Sequence, residues 1–147
     1  MKILRIQAAD TYNLRKLLLS DTTQTHLIKF DNDEDEDLSF HLGAFYESKL
    51  VSVASFYYQR NILFVDQHQY QLRGMATHPD FQHKGFSREL LNMAFPIIEQ
   101  NFCSLLWCMA KIEAQGFYEK VGFLPFDKNQ ISIEGIGLHT LMSKTLR

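Results

Sequence analysis

A mixed α/β fold is predicted for this chain of 147 residues, and three observations predict it. Segments with strand-like and helix-like hydrophobic periods alternate along the chain, in the order β-α-β-β-β-α-β-α-β-β. One almost wholly apolar run, Cys103 to Met109, suits a central strand covered on both faces. No repeat, low-complexity linker or compositional break interrupts the pattern, so residues 1–147 read as one domain.

Taken in order, Lys2 to Gln7 alternates as a strand does. Asp10 stands where a helix N-cap would stand, and Leu14, Leu17 and Leu18 then form one apolar helix face that ends near Ser20. Asp21 to Leu38 is polar, and six of the seven residues from Asp31 to Asp37 are acidic. That run reads as a solvated loop, or as a negative rim for a cationic substrate. Ser39 to Phe45 and Leu50 to Tyr58 are strands joined by a hairpin turn at Glu47-Ser48-Lys49. Phe56-Tyr57-Tyr58 reads as strand packing; the alternative is a surface for a second copy, giving a homodimer. Tyr70 to Thr77 is a further strand, stopped at His78-Pro79-Asp80, where Asp80 can cap the next turn of the chain. Ser87 to Gln100 is a helix that buries Leu90, Leu91, Ala94, Ile97 and Ile98, and Pro96 is expected to kink it or end it early. After the apolar strand, Ile112 to Val121 is a short helix closed by Gly122. Phe123 to Phe126 and Gly137 to Leu146 are the last strands.

Composition removes several function classes. Hydrophobic residues are 46% and charged residues 22%, as in ordinary globular proteins. The net charge of −2 argues against a chain-wide grip on nucleic acid. No stretch is long and apolar enough to span a membrane, and Met1 to Ser20 lacks the apolar core of a signal peptide. Cys103 and Cys108 fall on opposite faces of an extended segment, so they read as buried reduced thiols, in keeping with a cytoplasmic protein. No His, Cys or carboxylate set has metal-ligand spacing, so no metal is expected.

The chemistry concentrates in Leu72 to Ser87, where a strand runs into a loop and the loop opens a helix. Gln82, Gly85 and Ser87 follow a Q-x-x-G-x-S spacing. Amides at a helix N-terminus have no intrahelical acceptor and share the positive end of the helix dipole, which suits phosphate. Gly85 allows close backbone approach, Ser87 is small, and Lys84 and Arg88 add positive charge. Neither a G-x-x-x-x-G-K-[ST] loop nor a G-x-G-x-x-G turn is present, so the ligand would be another phosphate-bearing cofactor.

A second stretch, Leu106 to Phe123, comes after one helix and one strand. With both stretches in view, the chain resembles the GNAT superfamily of N-acetyltransferases. The first motif is Met75-Ala76-Thr77-His78-Pro79 followed by Gln82, His83, Lys84, Gly85, Phe86 and Ser87. The second is Ala114, Phe117, Tyr118, Glu119, Lys120, Gly122 and Phe123. The resemblance covers nearly the whole chain. It implies a mixed central sheet of about six to seven strands flanked by about four helices.

It also implies acetyl-coenzyme A as acyl donor and an amine as acceptor. The pyrophosphate would lie on the amides of Gln82 to Ser87, and the pantetheine arm would pair with Met75, Ala76 and Thr77. Lys111 and Ala114 belong to the same cofactor face. Tyr118 would protonate the departing thiolate, since a phenol of pKa about 10 is protonated at neutral pH. His139 reads as a structural histidine or as a base near the acceptor, and Arg73 and His41 as acceptor contacts. Strand parity puts Arg73 on the side of Met75 unless a bulge intervenes. Three departures from the family pattern stand out: Ser87 for Gly or Ala, Lys111 for Asn, and Met109 for Asn. The expected activity is direct acetyl transfer in a ternary complex. The alternative is a non-catalytic acyl-coenzyme A sensor.

Overall fold

The computed structural model describes residues 1–18, 28–35, 37–133 and 137–146. Seven strands form one mixed sheet: β1 (Lys2–Ile6), β2 (Phe40–Tyr46), β3 (Lys49–Tyr58), β4 (Gln69–Thr77), β5 (Leu105–Lys111), β6 (Leu124–Ile133) and β7 (Gly137–Thr145). Their spatial order is β1-β2-β3-β4-β5-β7-β6, with β4 and β5 parallel. The described residues hold three α-helices, α1 (Tyr12–Leu18), α2 (Phe86–Gln100) and α3 (Gln115–Lys120), against the four expected. Short 3-10 turns precede each of them. The chain clusters into two compact units: Met1–Tyr58 with Leu72–Ile97, and Gln59–Gln71 with Ile98–Arg147.

In the first unit β1, β2 and β3 form an antiparallel meander. Leu42, Ala44, Val51, Val53, Ala54 and Phe56 are at most 2% exposed, which is why the β3 sequence reads as apolar on both faces. Glu47 and Ser48, with φ of 48° and 67°, make the two-residue turn between β2 and β3, and Lys49 already belongs to the strand. Two left-handed residues give the turn a twist that matches the strands it joins.

The start of α1 corrects the sequence reading. Gln7, not Asp10, precedes the first turn, and Asp10 reaches back so that its Oδ2 accepts from the Gln7 N–H at 2.9 Å. Leu14 is buried, but Leu17 is 51% exposed. The Leu18 side chain and Ser20 lie outside the described residues. The buried face of α1 instead carries Leu14 and Arg15, continued from Thr11 of the preceding 3-10 turn.

α2 runs through Pro96 to Gln100 rather than ending early. Pro96 and Asn92 are both exposed, so the carbonyl left without its amide partner lies on the solvent side. Leu90, Leu91, Ala94 and Ile98 are fully buried, and Ile97 half-buried.

In the second unit β5 lies between the start of β4 and β7. Leu105, Leu106, Trp107 and Cys108 are all buried, and both cysteines are free thiols. The buried Gln69 side chain accepts from Asn61 N and donates to Asp66 O, which fixes the loop before β4. α3 closes with Gly122 at φ 103°, as its position in the sequence predicts. β6 extends to Ile133, well past the predicted end at Phe126.

Candidate active site

Met75, Ala76 and Thr77 end β4, and Gln82 to Ser87 carry the chain into α2, so the structure brings the first motif together in one unit. His78 N–H donates to Val51 O at 2.8 Å. His78 Nδ1 also accepts from Asp80 N at 3.1 Å, so His78 rather than Asp80 caps the 3-10 turn Pro79–Phe81. Gln82 Nε2 donates back to Thr77 O at 3.2 Å and ties the loop to the strand. His83 and Gly85 adopt φ of 62° and 89°, a conformation glycine takes without strain.

Glu89 N–H donates to Gly85 O at 3.1 Å. Gly85 is therefore the residue before the first turn, and the amides of Phe86, Ser87 and Arg88 are the ones a helix leaves unpaired. A side chain at Gly85 would meet nothing within 4 Å, so the space before these amides is open. Lys84 and Arg88 are exposed beside it. The Phe86 ring is buried against Phe81 and Tyr46, with centroids 5.9 Å and 6.4 Å away, so only its backbone faces the opening. His83 is exposed, whereas His78 is half-buried and packs on Phe81.

Ser87 has a local role that its size alone did not suggest. Its Oγ lies 3.0 Å from Thr77 Oγ1, which in turn lies 2.7 Å from Ser52 Oγ. This hydroxyl chain joins the first turn of α2 to the first half of β3 and the end of β4.

The second motif lies in the other unit. Tyr118 on α3 is 8% exposed and packs edge-on against Phe117 and Phe123. Burial, with a smaller contribution from Cys108, pushes its hydroxyl well above the ordinary phenol value, so it stays protonated. Ala114 is the residue before α3. Lys111 ends β5 exposed, opposite His139 of β7 in the strand register. His139 is 3% exposed, with Nδ1 2.9 Å from Gly137 O. A carbonyl only accepts, so Nδ1 carries the proton and Nε2 keeps its lone pair in the neutral ring.

The predicted acceptor contacts sit in a buried polar cluster that periodicity did not reveal. Asp33, expected in a solvated or rim-like acidic run, is 6% exposed. Its Oδ2 accepts from Arg15 Nη1 at 2.9 Å and Phe30 N at 2.8 Å. Its Oδ1 accepts from Arg15 Nη2 at 3.2 Å and from the Tyr57 hydroxyl. Asp31, Glu34, Asp35 and Asp37 are exposed, and Glu36 lies outside the described residues. His41 is 4% exposed, with Nε2 2.9 Å from Asp33 O and Nδ1 2.6 Å from Ser55 Oγ. Both its nitrogens thus have protein partners. Arg73 does not follow simple strand parity, because Gly74 has a φ of 65° and breaks the extended run between Arg73 and Met75. The Arg73 guanidinium lies over the Phe30 ring, 4.1 Å from its centroid. A short cue existed for this cluster: Arg15 interrupts the apolar face of α1, three residues before the expected Leu18.

No helix among the described residues is long and apolar enough to cross a membrane.

The profile of the acetyltransferase (GNAT) family matches residues 5–123. A Bacillus subtilis protein named uncharacterized N-acetyltransferase YitI is 34% identical over 151 aligned positions, spanning 100% of this chain and 97% of its own. An aminoglycoside 6'-N-acetyltransferase solved with coenzyme A superposes with a TM-score of 0.76 at 11% identity, covering 100% of this chain and 98% of its own. An IAA acetyltransferase of Bacillus cereus gives a TM-score of 0.71 at 16% identity, over 98% of each chain.

Proposed function

The chain belongs to the acetyltransferase (GNAT) family and is an N-acetyltransferase, and from that footing we propose that it moves the acetyl group of acetyl-coenzyme A to a primary amine of a small molecule or peptide. The observation that carries this reading is the first turn of α2. Three unpaired amides, an open approach at Gly85 and the cations Lys84 and Arg88 fit a diphosphate. Acetyl-coenzyme A supplies the activated acyl group.

The chain's own residues then have separate tasks. Gln82 to Ser87 hold the pyrophosphate, with Gln82 fixed to Thr77 O. Met75, Ala76 and Thr77 offer backbone groups to the pantetheine arm, and an N–H near Met75 or Ala76 polarises the acetyl carbonyl. Lys111 and Ala114 are further candidates for contact with the coenzyme. The amine nitrogen bonds to the acetyl carbon and the carbon–sulfur bond breaks. The departing thiolate takes the Tyr118 proton, and the nitrogen's surplus proton goes to His139 Nε2. Exchange with solvent restores both groups. The products are an N-acetyl amide and free coenzyme A.

The test is thiol release from acetyl-coenzyme A across a panel of amines, with the parent and Tyr118→Phe. The phenylalanine ring keeps the packing on Phe117 and Phe123. Turnover is expected to fall by about 10²–10⁴-fold, the usual worth of a general acid, while acetyl-coenzyme A still binds. Undiminished turnover in the variant would remove Tyr118 from the mechanism. No thiol release with any amine would overturn the transfer reading.

A further inference from the structure

Two guanidinium groups approach one aromatic ring. Arg15 Cζ lies 4.0 Å and Arg73 Cζ 4.1 Å from the Phe30 centroid. The cations are not equally served. Arg15 holds Asp33 through two hydrogen bonds and also donates to Ile28 O, Ser55 Oγ and the Tyr57 hydroxyl. A carboxylate has about four lone-pair positions. Those of Asp33 are taken by two Arg15 nitrogens, Phe30 N and Tyr57. Nothing of Asp33 is left for Arg73.

Arg73 itself is half-buried, and among the described residues no carboxylate lies within ion-pair distance of it. Burial disfavours the charged form of His41, and a neutral ring fits its contacts, with Nε2–H donating to Asp33 O and Nδ1 accepting from the Ser55 hydroxyl. Among the described residues, Arg15, Asp33, His41, Tyr57 and Arg73 therefore sum to one net positive charge, which Asp33 offsets for Arg73 only through space. Asp31 is a further anion felt by Arg73, and it is exposed. A half-buried cation with no ion-pair partner among the described residues is costly, and burial pulls the Arg73 guanidinium below its ordinary value. Phe30 stacks on the guanidinium but supplies no charge.

Arg73 is two residues before Met75 on the strand that the transfer reading assigns to the acyl arm. We infer that Arg73 is the anchor for a carboxylate on the acceptor, so that the preferred substrate is an amine that also carries a carboxylate: an amino acid or a peptide with a free C-terminus. The inference rests on the transfer reading for the amine half of the substrate, and not for the carboxylate half. A planar guanidinium takes a carboxylate in two parallel hydrogen bonds, which a lysine cannot reproduce.

The test compares matched acceptors that differ only in the carboxylate: leucine with 3-methylbutylamine, phenylalanine with phenethylamine, and a dipeptide with its C-terminal amide. Thiol release is followed for the parent, Arg73→Lys and Arg73→Gln. The parent is expected to favour the carboxylated member of each pair by about 100-fold in kcat/KM, as a charge-assisted bidentate contact is worth. Arg73→Gln should erase that preference by loss on the carboxylated members alone, and Arg73→Lys should fall between. A parent without preference, or equal losses on both members, would overturn the inference.

Thermal-shift titration with N-acetyl-leucine and with N-acetyl-3-methylbutylamine reads the same anchor without turnover. A shift that needs both the carboxylate and Arg73 supports the anchor even if no amine releases thiol, in which case only the transfer reading fails. A shift that ignores either one overturns the anchor even if transfer proceeds.

Discussion

Arg15 Nη1 stands 2.9 Å from Asp33 Oδ2, with side-chain exposures of 1% and 3%. This ion pair joins α1 to the segment before β2 and, through Ser55 and Tyr57, to β3. Asp33→Asn keeps the shape and removes the charge, leaving the Arg15 guanidinium buried without an anion. A loss of about 3–5 kcal/mol in unfolding free energy is expected by urea denaturation, the usual cost of breaking a buried pair from one side. The pair Arg15→Met with Asp33→Leu should cost less than Asp33→Asn alone, because no charge remains to be stranded. A cost below about 1 kcal/mol for Asp33→Asn would place the pair in the class of surface salt bridges.

The same cluster makes stability depend on acid in two stages. Burial holds the His41 imidazole below its ordinary 6.5, against the opposing pull of Asp33. The unfolded chain therefore takes up a proton that the folded chain refuses. The His41 contribution is complete above about pH 6.5 and is lost as pH falls toward the lower folded value. Burial raises the Asp33 carboxyl, but hydrogen bonds from Arg15, Tyr57 and Phe30 outweigh it and leave the group below its ordinary 3.8. A further loss occurs below that value. Melting temperature measured from about pH 7 to pH 5 should decline in the parent, and the decline should be shallower in His41→Gln. Equal slopes would show that His41 is not a source of the acid sensitivity.

Gly74 is the point where β4 departs from regular extension. A Cβ there would come within 2.8 Å of Phe30 Cε2 and 2.9 Å of Arg15 Nε, at a φ of 65°. Gly74→Ala is therefore expected to destabilise by about 2–4 kcal/mol, from left-handed strain together with displacement of the Phe30 ring. Because Phe30 covers Arg73, the variant should also lower kcat/KM for carboxylated acceptors more than for their uncharged partners. Unaltered stability would mean that the ring and the Arg15 side chain yield freely.

The sheet and the glycine turn that opens α2 were readable in the sequence because each has a local cause. β3 and β5 are apolar on both faces, and Gly85 precedes a strongly amphipathic helix. β6 beyond Phe126 was missed because Asp127 to Gln130 is polar and resembles a loop, while its strand character comes from pairing with β7. The Arg15–Asp33 pair was missed for a related reason. Its members are 18 positions apart, one on a helix and one in an acidic run, and only the fold makes them neighbours. Periodicity assigns such charges to the surface by default. Arg73 was legible as a residue of interest, but its lack of an ion pair among the described residues emerges only once Asp33 is seen to be filled by Arg15 and Tyr57.

In the proposed function the turn from Gln82 to Ser87 holds the diphosphate of acetyl-coenzyme A. Calorimetric titration of acetyl-coenzyme A into the parent, Gly85→Ala and Gly85→Glu tests it most directly. Both substitutions bear the same left-handed strain, but only glutamate places a negative charge in the open space before the amides. Binding in the parent, modest weakening in Gly85→Ala and loss by at least about 100-fold in a folded Gly85→Glu are predicted. No binding in the parent, or equal affinity in the alanine and glutamate variants, would contradict the account.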